Sequence, residues 1–373
     1  MSNKKFISYK DAGVDIITGD QASKKMFEAS IKTWKNISDF GIELNLLQDS
    51  FSGIRFINLS NLPEVIIGMN FDGVGTKIEI AERVSKHDTI ALDLFAMVCD
   101  DAAITGGEPI LIGSILDFNK VSLKVVKQLA KGMIQAAKIS NTIVINGEIA
   151  ELGDRVKGYG NCSYNWGASI IWIGKKERIF RRSIINQDFK IVGIKEYGLR
   201  SNGLSLIRKT FLRHYGQNWH NKKLEGKSIG MSVLEPSIIY TPLITTLTGG
   251  YFNPQKTSIF GIAHITGGGI PGKLGRILKS TGYGAILDNL FDPCNIVLHC
   301  QSIAPVSDHE AYKTWNMGNG LLIITKDADE VIEIAQSLHY EARIVGKIKK
   351  EENIVIQSQG SNKSKEEQII YEL

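Results

Sequence analysis

The sequence VIIGM at residues 65–69 leads directly into NFDGVGTK at residues 70–77. The apolar run predicts a short buried strand. The residues that follow supply a carboxylate, two glycines, a hydroxyl and an ammonium group, namely Asp72, Gly73, Gly75, Thr76 and Lys77. Glycines let a backbone turn sharply and approach a ligand closely, and a carboxylate beside them can hold Mg²⁺ together with phosphate oxygens. The stretch therefore predicts a metal and phosphate site, with a polar turn after a strand as the structural alternative.

Length and composition predict a two-domain globular protein. The 373 residues exceed one ordinary core, and a change of composition after residue 174 places the expected boundary between residues 1–180 and residues 181–373. A hydrophobic content of 43% and a charged content of 22% are typical of soluble proteins. The net charge of +5 is small and its basic residues are scattered, so no nucleic acid partner is expected. No apolar run approaches the roughly 20 residues of a membrane span, so no membrane association is expected.

The cysteines and the first residues indicate a cytoplasmic protein. Cys99, Cys162, Cys294 and Cys300 contain no CxxC pair, which favours reduced thiols over a disulfide framework or a zinc site. The N-terminal MSNKK is not followed by the apolar segment of a signal peptide.

Two early segments predict a loop and a helix. The sequence YKDAGVDI at residues 9–16 is polar and lacks periodicity, so we expect a loop. Lys10 could reach a phosphate and Asp11 or Asp15 could cap a helix or bind a metal, with simple solvation of these isolated charges as the alternative. Apolar residues at helical spacing then predict a helix up to Trp34, with Asp20 as its N-cap.

A buried helix is predicted at residues 88–105, which are apolar nearly all round and yet contain Asp93, Asp100 and Asp101. Asp93 and Asp100 are seven positions apart and therefore share one face of the helix. A buried carboxylate must be paired or bound to a metal, because its desolvation costs several kcal/mol. The pattern predicts metal or nucleotide binding, with a buried salt bridge to Lys or Arg as the alternative.

Further along the chain, other polar residues follow predicted strands. The strand at residues 142–145 opens into NGEIAE at residues 146–151, which contains Glu148. Ser201 and Asn202 precede a predicted helix at residues 204–215, where free N–H groups favour an anion, although simple N-capping would explain them equally well. Strands and helices alternate without a regular βαβ period. The sequence therefore predicts an α+β fold with antiparallel sheet rather than a doubly wound fold.

The segment GGGIPGK at residues 267–273 fits the P-loop pattern GxxxxGK and lies between a predicted strand and a predicted helix. However, Leu274 stands where Ser or Thr should bind Mg²⁺, and Pro271 removes a backbone N–H from the phosphate cradle. We therefore interpret this segment as a glycine turn rather than as a P-loop.

Nine segments in order resemble the phosphoribosylformylglycinamidine cyclo-ligase family, also called aminoimidazole ribonucleotide synthetases. They are YKDAGVDI from residue 9, DGVGTK from 72, HDTIALDLFAM from 87, GGEP from 106, NGEIAE from 146, GLRSNGLSLIRK from 198, LEPSIIY from 234, AHITGGG from 263 and NMGNG from 316. They cover nearly the whole chain. The wider superfamily includes thiamine-phosphate kinase, selenophosphate synthetase and hydrogenase-maturation proteins, and YKDAGVD together with AHITGGG resembles the cyclo-ligase branch.

The resemblance implies a two-domain fold and a reaction. The N-terminal domain would form a homodimer through a joined β-barrel, and the C-terminal domain would be an α/β sandwich. The implied reaction is ATP- and Mg²⁺-dependent ring closure of formylglycinamidine ribonucleotide in purine synthesis. ATP would activate the formyl oxygen as an iminophosphate, a neighbouring amidine nitrogen would attack, and phosphate would leave.

The resemblance also implies roles for particular residues. The implied magnesium ligands are Asp72, Asp93 and Glu148. The implied contacts to ATP and its phosphates are Lys10, Asp11, Gly73, Gly75, Thr76, Lys77, Asp100, Ser201 and Asn202. Ser201, Asn202 and His264 would line the substrate side. The implied catalytic residues are Lys10, Asp72, Asp93 and His264.

The chain differs from the family at two places. Asp100-Asp101 stand where members commonly have Asn-Asp, and residues 146–153 read NGEIAELG where members commonly have GGETAEMP. The residues are also compatible with two other functions. One is phosphorylation of a different small substrate by a superfamily relative, and the other is a catalytically idle nucleotide-binding subunit.

Overall fold

The computed structural model describes residues 15–42, 44–46, 55–180, 185–364 and 367–373. In the N-terminal half the chain forms α1 (Ile16–Thr33), β1 (Leu44–Leu46), β2 (Arg55–Ile57), β3 (Val65–Gly73), α2 (Lys77–Val84), α3 (Ile90–Ala103), β4 (Glu108–Phe118), α4 (Leu123–Ser140), β5 (Ile143–Glu151) and β6 (Tyr164–Lys175). Four of these strands form one sheet in the order β3-β6-β4-β5. Only β4 and β5 are parallel, and α4 connects them.

The two faces of this four-stranded sheet differ in burial. α3, which is apolar nearly all round, packs on one face, and every residue of the helix except Asp101 is buried. The opposite face presents large apolar side chains to solvent, and their exposed fractions are 61% for Ile67, 50% for Met69, 72% for Phe71 and 58% for Ile115. The odd-numbered residues of β3 point outward because side chains alternate between the two faces of a strand.

The C-terminal half forms a seven-stranded sheet that is antiparallel except for one pair. Its elements are β7 (Lys190–Lys195), α5 (Leu204–Tyr215), β8 (Lys223–Leu224), β9 (Lys227–Ser228), α6 (Ile229–Val233), α7 (Thr241–Thr248), β10 (Ile259–His264), α8 (Gly269–Leu278), β11 (Gly284–Leu287), α9 (Asn295–Ile303), α10 (Asp308–Thr314), β12 (Asn319–Thr325), α11 (Ala328–Ser337), β13 (Ala342–Lys349), β14 (Asn353–Gln357) and β15 (Gln368–Glu372). The strand order is β10-β12-β7-β13-β11-β14-β15, and β11 with β14 is the parallel pair. β8 and β9 form a separate small hairpin.

Side chains of both halves form one continuous apolar core. Its members include Phe95 of α3 and Trp166 of β6 from the first half, and Leu234 and Ile265 from the second. The region where the halves meet is therefore packed, and polar groups within it must find partners there.

The predicted α+β class with mainly antiparallel strands is confirmed. The predicted N-cap of the first helix is wrong, because α1 begins at Ile16 and the side chain of Asp15 accepts the hydrogen bond from the Thr18 N–H. The boundary between residues 180 and 181 stays a prediction. All four cysteines are free thiols. Within the described ranges, no helix is long and apolar enough to cross a membrane.

Candidate active site

The end of β3 brings Asp72 to the junction of the two halves. The strand continues through Gly73, four residues beyond the predicted end at residue 69. Asp72 alternates with exposed Phe71 and so lies on the face of the sheet that α3 covers. Its Oδ1 accepts a hydrogen bond of 2.6 Å from the Gly73 N–H. Gly75 and Thr76 are exposed just before α2, and Gly75 has a φ of +67°, which glycine adopts without strain.

Lys77 and Asp93 form a fully buried ion pair. Lys77 Nζ lies 2.6 Å from Asp93 Oδ1 and also donates to the carbonyl of Glu235. The N–H and hydroxyl of Ser237 donate to the same carboxylate oxygen. This is the salt bridge that the sequence left open as the alternative for Asp93. The predicted roles of Asp93 in metal binding and of Lys77 in phosphate binding stay predictions, and both side chains are already engaged inside the protein.

Asp100 is also engaged internally. Its Oδ1 accepts hydrogen bonds from the N–H groups of Tyr240 and Thr241 and from the Thr241 hydroxyl, at 2.7–2.9 Å. These groups lie at the N-terminus of α7, where a negative charge interacts favourably with the helix dipole. Its Oδ2 lies 3.3 Å from Arg200. The charge of Asp100 is thus offset by a buried guanidinium, and the predicted ATP contact of Asp100 is not favoured by this geometry.

His264 connects Arg200 with Asp101. Its Nδ1 lies 2.6 Å from Asp101 Oδ1, and its Nε2 lies 2.5 Å from an amino group of Arg200. Arg200 in turn donates to Glu196 at 2.8 Å. Asp101 differs from the other carboxylates of α3 because 30% of its side chain is exposed. It is therefore the most exposed carboxylate of α3.

Asp72, Asp101 and Lys273 are each partly exposed, and their charges act on one another where the two halves meet; we call this charged cluster the opening. Burial raises the pKa of Asp72, the Gly73 N–H lowers it, and the charge of Asp101 raises it further. Burial also acts to raise the pKa of Asp101, but the hydrogen bond and charge of His264, together with Lys273 and Arg200, bring that pKa below its usual value. Burial lowers the pKa of the Lys273 ammonium, against the opposing effect of Asp101 and Asp72. The opening therefore combines two carboxylates with a cation in partly desolvated surroundings.

Ser201 and Asn202 border the same region. A Cβ placed on Gly267 would lie 3.3 Å from Asn202 Oδ1, and the Asn202 amide lies 4.0 Å from the sulfur of Met97 on α3. Neither side chain caps α5, whose N-cap residue is Gly203, so the simple N-capping interpretation is wrong. The Ser201 hydroxyl is buried and has no hydrogen-bond partner within the part of the chain that the structure describes.

The remaining predicted residues do not join this cluster. Glu148 pairs in register with Ile115, which belongs to the exposed face of the sheet, whereas Asp72 lies on the covered face. The set Asp72, Asp93 and Glu148 is therefore not assembled around one point. Lys10 and Asp11 lie outside the described residues. Among the described residues, no group of three or more His, Cys, Asp or Glu side chains is arranged to hold a metal ion.

Two carboxylates nevertheless suit one kind of metal site. Mg²⁺ is usually bound through one or two carboxylates plus substrate phosphates and water. Asp72 and Asp101 fit that donor set, and Asp72 has no protein partner in the described residues apart from the adjacent Gly73 N–H. They suit Mg²⁺ better than the predicted set of Asp72, Asp93 and Glu148, in which Asp93 is paired with Lys77 and Glu148 lies on the other face of the sheet.

Sequence reasoning missed Asp101, Arg200 and Lys273 as parts of the site. The seven-residue spacing drew attention to Asp93 and Asp100, but the most exposed carboxylate of a buried helix is the one free to meet a ligand. No periodicity pointed to Arg200, whose partners other than Glu196 come from residues distant in sequence.

Comparison with known protein families agrees with this fold. Residues 62–168 match the N-terminal domain of AIR synthase related proteins, and residues 188–359 match their C-terminal domain. The two matches, together with the fold, define the class of AIR synthase related proteins.

Similar curated proteins identify the family within this class. The phosphoribosylformylglycinamidine cyclo-ligase of Methanocaldococcus jannaschii is 30% identical over 344 residues, which cover 92% of each chain. That of Methanococcus vannielii is 31% identical and covers 94% of each chain. That of Thermoanaerobacter pseudethanolicus is 30% identical over 94% of this chain and 100% of its own. The chain belongs to the phosphoribosylformylglycinamidine cyclo-ligase family.

Solved structures with lower identity share the fold. Thiamine-monophosphate kinase from Stenotrophomonas maltophilia superposes with a TM-score of 0.58 at 14% identity, covering 84% of this chain and 92% of that one. Escherichia coli HypE, a hydrogenase maturation protein, gives a TM-score of 0.61 at 12% identity and covers 93% and 95%. A HypE structure in complex with ATP gives a TM-score of 0.53 at 12% identity and covers 83% and 85%.

Proposed function

We propose that this protein closes the imidazole ring of 5-aminoimidazole ribonucleotide from formylglycinamidine ribonucleotide and ATP, releasing ADP and phosphate in purine biosynthesis. The observation that carries the proposal is the match to cyclo-ligases over more than nine tenths of both chains. The opening between the two halves, with two carboxylates, a cation and an imidazole, supports it because phosphoryl transfer requires positioning and charge neutralisation more than a strong base.

The proposed chemistry has two steps. The γ-phosphoryl group of ATP is transferred to the formyl oxygen of the substrate, which gives an iminophosphate and ADP. The neighbouring amidine nitrogen then attacks the formyl carbon, the carbon–oxygen bond breaks, and the oxygen leaves with phosphate. Each turnover thus consumes one ATP and forms one ring, one ADP and one phosphate.

Different residues at and around the opening would bind the metal, neutralise charge and contact ATP and the substrate. Asp72 and Asp101 would hold Mg²⁺, which when bound neutralises charge on the phosphate oxygens. Lys273 would offset charge on the transferred group, and His264 holds the Asp101 carboxylate in place. The exposed Gly75 and Thr76 at the start of α2 would contact ATP phosphates, and Asn202 and the unpartnered Ser201 hydroxyl would contact the substrate.

We also propose that the functional unit is a homodimer in the cytoplasm. The exposed apolar face of the N-terminal sheet, formed by Ile67, Met69, Phe71 and Ile115, is larger than isolated surface apolar residues would explain. A second copy of the same sheet would cover it and close the joined barrel that the family resemblance implies. Four free thiols are consistent with a reducing compartment.

The experiment that tests the activity measures ADP release by the purified protein with Mg²⁺-ATP, with and without formylglycinamidine ribonucleotide. We expect ADP release to depend on that substrate and to equal the amount of aminoimidazole product. Substrate-independent hydrolysis, or turnover only with another phosphate acceptor, would instead support an idle nucleotide-binding subunit or a kinase-type relative.

A further inference from the structure

Arg200 lies fully buried where four parts of the chain meet. One of its amino groups donates to Glu196 at 2.8 Å and to the carbonyl of Ile238 at 3.0 Å. The other lies 3.3 Å from Asp100 Oδ2 and 2.5 Å from His264 Nε2. The guanidinium also stacks on the ring of Tyr240, with its carbon 5.1 Å from the ring centroid. Each of these contacts constrains the direction of the amino group that meets His264.

Glu196 fixes Arg200 in this position. Its two carboxylate oxygens accept hydrogen bonds from the N–H groups of Tyr197 and Ile238 and from the Tyr240 hydroxyl, in addition to the bond from Arg200. A carboxylate with this many donors is itself immobile. The guanidinium is therefore anchored independently of the imidazole that it contacts.

The contact with Arg200 determines which nitrogen of His264 carries a proton. A guanidinium has only donors, so His264 Nε2 must be the acceptor and carries no hydrogen. In a neutral imidazole the other nitrogen is then the N–H group. Nδ1–H accordingly donates to Asp101 Oδ1, at the observed 2.6 Å.

We propose that Arg200 is a positioning residue that holds His264 in the Nδ1–H form, so that the imidazole in turn fixes the Asp101 carboxylate at the opening. The order Glu196, Arg200, His264, Asp101 leads from a buried anchor to the exposed carboxylate of α3. Without Arg200, the nearest charged group to His264 Nε2 is Asp100, whose Oδ2 lies 3.8 Å away. Nε2 would then gain a proton and turn toward Asp100, and Asp101 would lose its fixed orientation.

Nitrogen NMR of the histidine side chains tests this assignment without any substrate. The full-length protein is labelled with ¹⁵N-histidine, and the His264 signals are identified by their loss in His264→Gln. We expect the wild-type His264 to show a protonated Nδ1 and an unprotonated Nε2. A protonated Nε2 in the wild-type protein would overturn the proposal, and this result does not depend on the proposed function.

Variants of Arg200 then test whether Arg200 is the cause. Arg200→Met should protonate Nε2, whereas Arg200→Lys, which keeps a cationic donor, should retain the wild-type pattern at least in part. Arg343→Met is the matched control, because Arg343 also stacks on an aromatic ring, Phe291, and donates to a carbonyl, but lies away from His264. An Arg200→Met protein with an unchanged His264 spectrum would contradict the assignment. If Arg200→Met does not fold, the wild-type and Arg200→Lys spectra still decide the matter.

The consequence for catalysis rests on the proposed function. For Arg200→Met we expect kcat to fall about tenfold or more while the KM for ATP changes less than about threefold, and Arg200→Lys should recover part of the loss. Normal kcat in a variant whose His264 has changed its protonation pattern would overturn the positioning role. Absence of turnover in the wild-type protein would count against the proposed function alone.

Discussion

At the scale of single residues, the site separates carboxylates that stabilise the protein from carboxylates that are available to a ligand. Asp93 and Asp100 have no exposed surface and are paired with Lys77 and Arg200. Asp72 and Asp101 are partly open and lie near each other. Burial and pairing therefore decide the role of each acidic residue, although Asp93, Asp100 and Asp101 occur in the same apolar helix.

Replacing Asp72 should impair catalysis without unfolding the protein. Asp72→Asn keeps the size and the acceptor for the Gly73 N–H but removes the charge that a hard cation requires. We expect turnover to fall on the order of 10²-fold, the scale lost when one preorganised electrostatic group is removed. The control is Asp154→Asn, an exposed carboxylate of the same half. Steady-state ADP release checks both variants, and near-normal turnover of Asp72→Asn would show that Asp72 does not hold the metal.

A second residue, Glu108, should make the stability of the protein depend on pH. It is buried, its carboxylate accepts a hydrogen bond from the Tyr251 N–H, and burial raises its pKa from 4.5 to about 7. Between these values the folded state binds more protons than the unfolded state, so stability decreases as the pH rises. The contribution of Glu108 is complete below about pH 4.5 and is lost as the pH passes through about 7.

The variant Glu108→Gln should remove this effect. We expect it to raise the free energy of unfolding at pH 8 by about 1–3 kcal/mol and to flatten the decline between pH 5 and pH 7. Urea denaturation at several pH values measures both quantities. Glu82, whose pKa burial also raises to about 7, is a useful contrast. Its two oxygens accept from the N–H groups of Tyr159 and Tyr164, so Glu82→Gln loses an acceptor and should not stabilise. A wild-type slope in Glu108→Gln would contradict the assignment.

Many residues of the site could be predicted from the sequence, but the ion pairs and hydrogen bonds between them could not. Local patterns identify the DGVGTK segment, the acidic helix and a strand before the glycine turn at residues 267–273. The pairings Lys77–Asp93 and Arg200–His264 join residues 16 and 64 positions apart. Such pairings depend on how helices and strands pack, which one sequence without relatives does not specify. For the same reason the opposite orientations of Asp72 and Glu148 became visible only from the sheet register.

At the scale of secondary-structure elements, the close approach of α4 to the start of α3 helps to hold the Asp101 helix in place. A Cβ on Gly132 of α4 would lie 2.2 Å from the Asp88 carbonyl oxygen, just before α3. Glycine is required there because the backbone of one helix passes directly over the chain that leads into the other. The apolar run of α3 predicted its burial, whereas nothing in the local sequence indicated this contact.

Two glycine variants separate this packing effect from helix propensity. Gly132→Ala should lower the free energy of unfolding by about 1–3 kcal/mol through overpacking. Gly19→Ala is the control, because Gly19 lies within α1 and a Cβ there would meet no atom within 4 Å. That variant should stabilise the protein by roughly 0.5–1 kcal/mol. Thermal unfolding of the two variants measures the difference in their stability. If Gly132→Ala were at least as stable as Gly19→Ala, α4 and the chain leading into α3 could move apart without a loss of stability.

At the scale of the whole molecule, the exposed sheet face predicts how two chains associate. Phe71 is 72% exposed at the centre of an apolar surface, and an aspartate there would place a charge in the proposed interface. We expect the wild-type protein to be a dimer at micromolar concentration and Phe71→Asp to be a monomer. Ile139→Asp, which replaces an exposed apolar residue on α4, should remain a dimer. Light scattering distinguishes the two states, and a monomeric wild-type protein would refute the shared barrel.

The central claim is that the formyl oxygen of the substrate is activated by phosphorylation and leaves as phosphate. The most direct measurement uses formylglycinamidine ribonucleotide labelled with ¹⁸O at the formyl group and follows the label by mass spectrometry after turnover with unlabelled ATP. The account predicts one ¹⁸O atom in the inorganic phosphate for each aminoimidazole ring formed. Phosphate without the label, formed alongside the ring product or in its absence, would contradict the account.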